Sequence, residues 1–227
     1  MRSQTVVKMQ LSQYIINDIK PLSILSELSE LKLFFNELTY SHIPIQNDDH
    51  QYLGCLSETD VHCFETDKTV KDCAFAIEGF HVRDTTNWLD VLEAFAQNYS
   101  NIMPVLDKNN NYLGYYELND IINLFNDTPF FSEAGAIIVI EKGTNDYSFS
   151  EITQIVESND AKLYGIFISN MTSEMAQITI KIGHSGLNDV IQTLRRYSYK
   201  IVSGHEEDTY IENLKERSDY LNKYLNM

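Results

Sequence analysis

Two stretches of the chain nearly coincide: "YLGCLSETD" at Tyr52–Asp60 and "YLGYYELND" at Tyr112–Asp120. Their offset, 112 − 52 = 60, holds backwards without a gap. Pro44 meets Pro104, Ile45 meets Val105, Ile43 meets Met103 and Phe35 meets Phe95. Further back, Leu31 meets Val91, Leu28 meets Trp88 and Ser26 meets Thr86. One matching phrase arises easily by chance. A gapless register from Ser26 to Asp60 does not, and it requires one structural unit to be built twice.

Each copy reads alike. Ser26 or Thr86 is placed to cap a helix, because a side-chain oxygen there accepts an orphan amide. Leu28, Leu31, Phe34 and Phe35, and likewise Trp88, Val91, Leu92 and Phe95, recur at helical spacing. Strands are expected at His42–Ile45 and Ile102–Leu106, then polar turns, then strands at Tyr52–Leu56 and Tyr112–Tyr116. Asp60 and Asp120 are expected to open a further helix, whose positive end favours a carboxylate.

The copies "SHIPI…GCLSETD" and "NIMPV…GYYELND" resemble the cystathionine-β-synthase (CBS) domain, which occurs as a tandem pair. The resemblance covers residues 10–130, with repeats at about 14–70 and 74–127. It implies two clefts that often hold adenine nucleotides: AMP, ATP or S-adenosylmethionine. By resemblance, Asp60 holds ribose, Ser57 holds phosphate, and His42 lies on the phosphate side. Ile43, Pro44, Ile102 and Pro104 line the base, and Asp120 is the second copy's counterpart of Asp60. Apolar strand residues can sandwich a flat base, and a hydroxyl at a helix N-terminus can donate to phosphate. The alternative for Asp60 and Asp120 is that they serve only as helix caps. Glu117 replaces Ser57 in the second copy, so the two clefts should be unequal.

The pattern changes at "NDTPFFSEAGA", where Pro129 and Gly135 mark a boundary. A strand follows at Ile137–Glu141, then a "KGTND" turn and a helix at Phe149–Ser158, opened by a capping box at Ser148 and Glu151. Strands at Lys162–Ser169 and Ala176–Ile182, a helix at Leu187–Tyr197 and a strand at Lys200–Ser203 complete a βαββαβ order. This order resembles the ferredoxin-like ACT domain, over residues 136–207. If the module binds an amino acid, the resemblance puts the ligand turn at Gly143, Thr144, Asn145 and Asp146; the other reading is a purely structural turn. The fold class is thus α+β: a CBS pair, an ACT-like domain and a C-terminal amphipathic helix at 208–227. The whole is similar to bacterial CBS proteins grouped with acetoin-utilisation proteins.

Charge narrows the partners. Lys and Arg number 17 against 33 Asp and Glu, for a net charge of −16. Such a surface repels phosphate backbones and anionic headgroups, which argues against nucleic acid and membrane. No apolar run is long enough to span a bilayer, and Cys55, Cys63 and Cys73 lack metal-ligand or disulfide spacing. A cytoplasmic protein with reduced thiols is expected. "HEED" at His205–Asp208 is read as a solvated acidic turn rather than a metal site. No phosphate-loop, dinucleotide or zinc-protease pattern occurs, so no catalytic residue is assigned and no enzyme is expected.

The leading reading is a ligand-sensing regulatory protein. An adenine nucleotide in the CBS clefts would be its regulatory ligand, and a homodimer or an unidentified protein partner would carry the signal. The alternative is a dimerisation or interaction module without a ligand.

Overall fold

The computed structural model describes residues 11–202, which divide after Phe125 into two compact units. The N-terminal unit runs through β1 (Leu22–Ser23), α1 (Leu28–Glu37), β2 (His42–Gln46), β3 (Tyr52–Ser57) and α2 (Glu58–Cys63). After a 3-10 segment at Val70–Ala76 the order recurs as β4 (Val82–Arg83), α3 (Trp88–Asn98), β5 (Ile102–Leu106), β6 (Tyr112–Glu117) and α4 (Leu118–Asn126). Every paired element begins at the offset read from the sequence. Each copy forms a three-stranded sheet, with its first two strands parallel and its last two antiparallel. The register also repeats: His42 lies opposite Ser57, Ile102 opposite Glu117, and a bulge follows Ile45 and Val105 alike.

Helical spacing does its work on one face. α1 buries Leu28, Leu31 and Phe35 against Ile43, Ile45 and Leu56; α3 buries Val91 and Phe95 against Met103, Val105 and Tyr116. The expected caps are corrected by one residue. Glu27 and Asn87 occupy the N-cap positions, and Asn87 Oδ1 accepts from the Leu89 amide at 2.8 Å. Thr86 Oγ1 instead accepts the Arg83 amide at 3.0 Å, closing the turn before the helix. Asp60 and Asp120 lie inside the first turns of α2 and α4, because those helices start at Glu58 and Leu118. The cap of α2 is Ser57, whose Oγ accepts the Asp60 amide at 3.1 Å.

The copies trade their leading segments. Glu78, in the leading segment of the second copy, exchanges two backbone bonds of 2.8 Å with Cys55 on β3. Ile16, in the leading segment of the first, exchanges bonds of 2.9 and 2.8 Å with Tyr115 on β6. Gly54 and Gly114 make these approaches feasible. Their φ values are +149° and +146°, and a Cβ on Gly54 would sit 2.5 Å from the Glu78 carbonyl oxygen. Between the copies, equivalent residues meet. Tyr52 stacks on Tyr112 with centroids 6.2 Å apart, and Ser41 and Asn101 bond reciprocally at 2.8 and 3.0 Å. These two meetings mark an approximate twofold axis.

The C-terminal unit begins with α5 (Pro129–Ser132) and continues through β7 (Ala136–Gly143), α6 (Phe149–Ser158), β8 (Leu163–Met171), β9 (Met175–Ile182), α7 (Leu187–Arg196) and β10 (Lys200–Ile201). Its sheet is ordered β10-β7-β9-β8 with every neighbour antiparallel. Ile138, Ile140, Ile178 and Ile180 form one side of the core, with Ile152, Val156, Val190, Ile191 and Leu194 from the helices on the other. The expected capping box is half made. Ser148 Oγ accepts the Glu151 amide, but the Glu151 carboxylate turns to Lys142 Nζ at 2.8 Å, and the Ser148 amide donates to Tyr199 Oη. The expected helix at 208–227 and the His205–Asp208 turn lie outside the described residues.

Candidate functional site

Side chains of directly opposed strand residues share a face. In the first copy that face carries His42 and Pro44 from β2 and Cys55 and Ser57 from β3. Ile43 points the other way, into the core with Leu28, Leu31 and Leu56. It therefore does not share the face on which His42 and Pro44 stand.

His42 is the centre of this group. It is 5% exposed, with Nδ1 2.8 Å from Ser41 Oγ and Nε2 3.5 Å from Glu78 Oε1. The Phe80 ring meets it edge-on at 5.2 Å. A neutral ring is satisfied at both ends when Ser41 donates to Nδ1 and Nε2–H faces Glu78. Burial holds the imidazole below its ordinary 6.5, against the upward pull of Glu78 and Asp60. Ser57 Oγ donates to Asp60 Oδ2 at 2.7 Å, so the hydroxyl and the carboxylate are bonded to each other. Both are partly exposed at the rim, over a buried floor. Burial pushes the Cys55 thiol up to about 12, which makes it an inert floor residue.

The corresponding face of the second copy carries Ile102, Pro104, Tyr115 and Glu117. Its chemistry differs. Tyr115 Oη donates to Asp18 Oδ1 at 2.7 Å and lies 3.0 Å from Tyr40 Oη. Tyr40 Oη donates to Glu117 Oε1 at 2.7 Å. Burial raises both phenols above their ordinary range. Ile102 is fully buried with Ile19 and Tyr115. Asp120 is half-buried in the first turn of α4.

In the C-terminal unit, Gly143 ends β7 and its carbonyl accepts the Asp146 amide at 2.9 Å. Thr144 is bound to the β8–β9 turn through Glu174 and Thr172. Asn145 and Asp146 are exposed. Gly143 and Asp146 border an open cavity of about 530 Å³, together with Lys142, Met175, Tyr197 and Lys200.

Sequence reading thus named His42, Ser57 and Asp60, which do come together, but missed Glu78 and Phe80, which complete the group from the other copy's leading segment. It also missed Asp18 and Tyr40. The signal that was available is Cys55 against Tyr115 within the repeated phrase. Among the described residues no group of His, Cys, Asp and Glu could hold a metal ion, and no helix is long and apolar enough to cross a membrane.

The CBS domain family model matches residues 70–127. No curated protein matches the chain. Among solved structures, a CBS domain pair/ACT domain protein from Thermotoga maritima is 15% identical, with a TM-score of 0.47 over 52% of this chain and 96% of that one. The CBS domains of a transcriptional regulator from Streptococcus pneumoniae are 15% identical, with a TM-score of 0.45 over 51% and 98%. CBSX2, solved in complex with AMP, is 14% identical, with a TM-score of 0.43 over 51% and 95%. Residues 70–127 carry a CBS domain, and the elements from β1 to α2 repeat its architecture in the same chain.

Proposed function

We propose that the N-terminal unit is a regulatory module that senses an adenine nucleotide at the face built by His42, Pro44, Ser57 and Asp60. One observation carries this reading. The residues that the CBS resemblance assigns to phosphate and ribose stand together, and Glu78 and Phe80 from the opposite copy close the group. A ligand seated there touches both copies. If it binds one arrangement of the copies more tightly than another, its occupancy becomes a signal. Asp60 accepts from the ribose diol, while Ser57 and His42 face the phosphate. The Ser57–Asp60 bond opens when ligand replaces it.

The C-terminal unit, residues 136–207 with α5 leading in, is proposed as an ACT-like domain. Its βαββαβ order and antiparallel β10-β7-β9-β8 sheet support the ferredoxin-like arrangement. An amino acid at the Gly143–Asp146 turn, a homodimer, a cytoplasmic location and the lack of turnover belong to the same reading. Native mass spectrometry of freshly purified protein, followed by calorimetric titration with AMP, ATP and S-adenosylmethionine, tests it. Binding of one of these, weakened by Asp60→Ala, is the expected result; binding of none would overturn it.

A second reading, a module that dimerises without a ligand, draws on the self-satisfied Tyr40–Tyr115 network. Empty protein that sediments as a tight dimer would favour it.

A further inference from the structure

The two copies share a backbone and a register, yet their equivalent faces are filled differently. Beside Pro44 stands Cys55; beside Pro104 stands Tyr115. Position 40, at the entry to the first copy's β2, is Tyr, whereas its counterpart before β5 is Ser100. Ser100 is buried and donates to the Ile102 carbonyl within its own copy. Tyr40 instead reaches across to Glu117 and packs edge-on against Tyr115 with centroids 5.6 Å apart. Tyr115 is fully buried.

We infer that Tyr40 and Tyr115 close the second cleft from within, so that the chain holds one nucleotide rather than two. The inference rests on the nucleotide-sensing reading above.

The argument is steric and electrostatic. A base lying on Ile102 and Pro104 would have to occupy the space taken by the Tyr115 ring, which shares their side of the sheet. Moving that ring breaks its bond to Asp18 and its contact with Tyr40, which in turn releases Glu117. A buried polar group freed without a new partner is costly, and each of the three bonds is part of one connected chain. Anions are disfavoured as well. Glu117 puts a carboxylate where the first copy has Ser57, and Ile102 stands where the first copy has His42. Neither device exists in the first copy, where a thiol takes the place of the phenol and the cap hydroxyl is at the rim.

The test counts ligands. Calorimetric titration of the full chain with AMP is expected to give one AMP per chain. The variant Tyr40→Ser/Tyr115→Cys/Glu117→Ser gives the second face the small groups of the first and is expected to bind two. Tyr115→Phe keeps the ring without the hydroxyl and is expected to stay at one. If the triple variant does not fold, as judged by its thermal transition, Tyr115→Cys alone is expected to admit a second, weaker AMP. Two AMP per wild-type chain would overturn the closure and leave the nucleotide reading standing; so would a folded variant without the Tyr115 ring that stays at one. A wild-type chain that binds none, with a variant that binds one, would overturn the reading of the first cleft and keep the closure. Binding by neither would overturn both.

Discussion

His42 and Glu78 lie on different copies of the repeat, yet His42 Nε2 is 3.5 Å from Glu78 Oε1, with the imidazole buried and the carboxylate half in solvent. The imidazole is therefore held between two influences of opposite sign. Burial favours its neutral form, and Glu78 and Asp60 favour the cation. Burial is the stronger.

A pH dependence of stability follows. Because the folded imidazole titrates below its ordinary 6.5, the unfolded chain binds more protons there, and stability falls as pH drops from 6.5 towards the folded value. Each unit of depression is worth about 1.4 kcal/mol. Urea denaturation at about pH 7.5 and about pH 5.5 should show a smaller acid loss for His42→Gln than for wild type. Glu78→Gln removes an upward pull on His42 and should enlarge the loss. An unchanged difference in both variants would refute the assignment.

Gly54→Ala should be severely destabilising. The backbone there has φ +149°, and a Cβ would meet the Glu78 carbonyl oxygen at 2.5 Å. Backbone strain and overpacking each cost about 1–3 kcal/mol. A chemical denaturation midpoint within error of wild type would show that the segment exchange does not hold the copies together. Gly79→Ala, whose Cβ would meet nothing within 4 Å, is the control and should be nearly neutral.

For nucleotide binding, Asp60→Ala should weaken AMP by about 1.5–3 kcal/mol, the range for a bond to a charged acceptor. Asp120→Ala should change it far less, since the second face is closed by tyrosines. Ser57→Ala removes the α2 cap and should cost about 1 kcal/mol of folding stability even without ligand. Calorimetry for the first pair and thermal denaturation for the last separate binding from structure.

Ile152→Ala, in the core of the C-terminal unit, should cost about 2–5 kcal/mol in that unit, because the side chain is fully buried between α6 and the sheet. If each unit folds independently, a two-transition melt should appear, with only one transition moved. A single shifted transition would mean the units unfold together.

Much of this architecture was legible in the sequence, for a reason that residues make plain. Leu28, Leu31 and Phe35 recur with the period of a helix, and the same pattern returns at Trp88, Val91 and Phe95, so a second reading checks the first. The C-terminal strands and helices fell within a few residues of their positions because Ile138, Ile140, Ile178 and Ile180 alternate as a half-buried sheet requires. What failed was local or long-range chemistry without periodicity. Ser26 looks like a cap, but Asn87 shows that the copies enter their helices one residue later. The bonds from Ile16 to Tyr115 and from Cys55 to Glu78 join single residues far apart, and no sequence pattern announces them. Of the candidate site, Ser57 and Asp60 were readable because they sit within one repeated phrase, and His42 because it opens the strand paired with it; Glu78, Phe80, Asp18 and Tyr40 were not, because the fold alone brings them near.

The traded leading segments have a further consequence. A single copy cut from this chain would carry a segment fitted to a neighbour and an unclosed strand edge awaiting one. It could satisfy both only by meeting another such copy, head to tail and back again, as a ring of two. The present chain is that ring with one joint made covalent. The covalent joint turns an association that dilution can dissolve into one that it cannot, and lets the two halves differ in the side chains they carry.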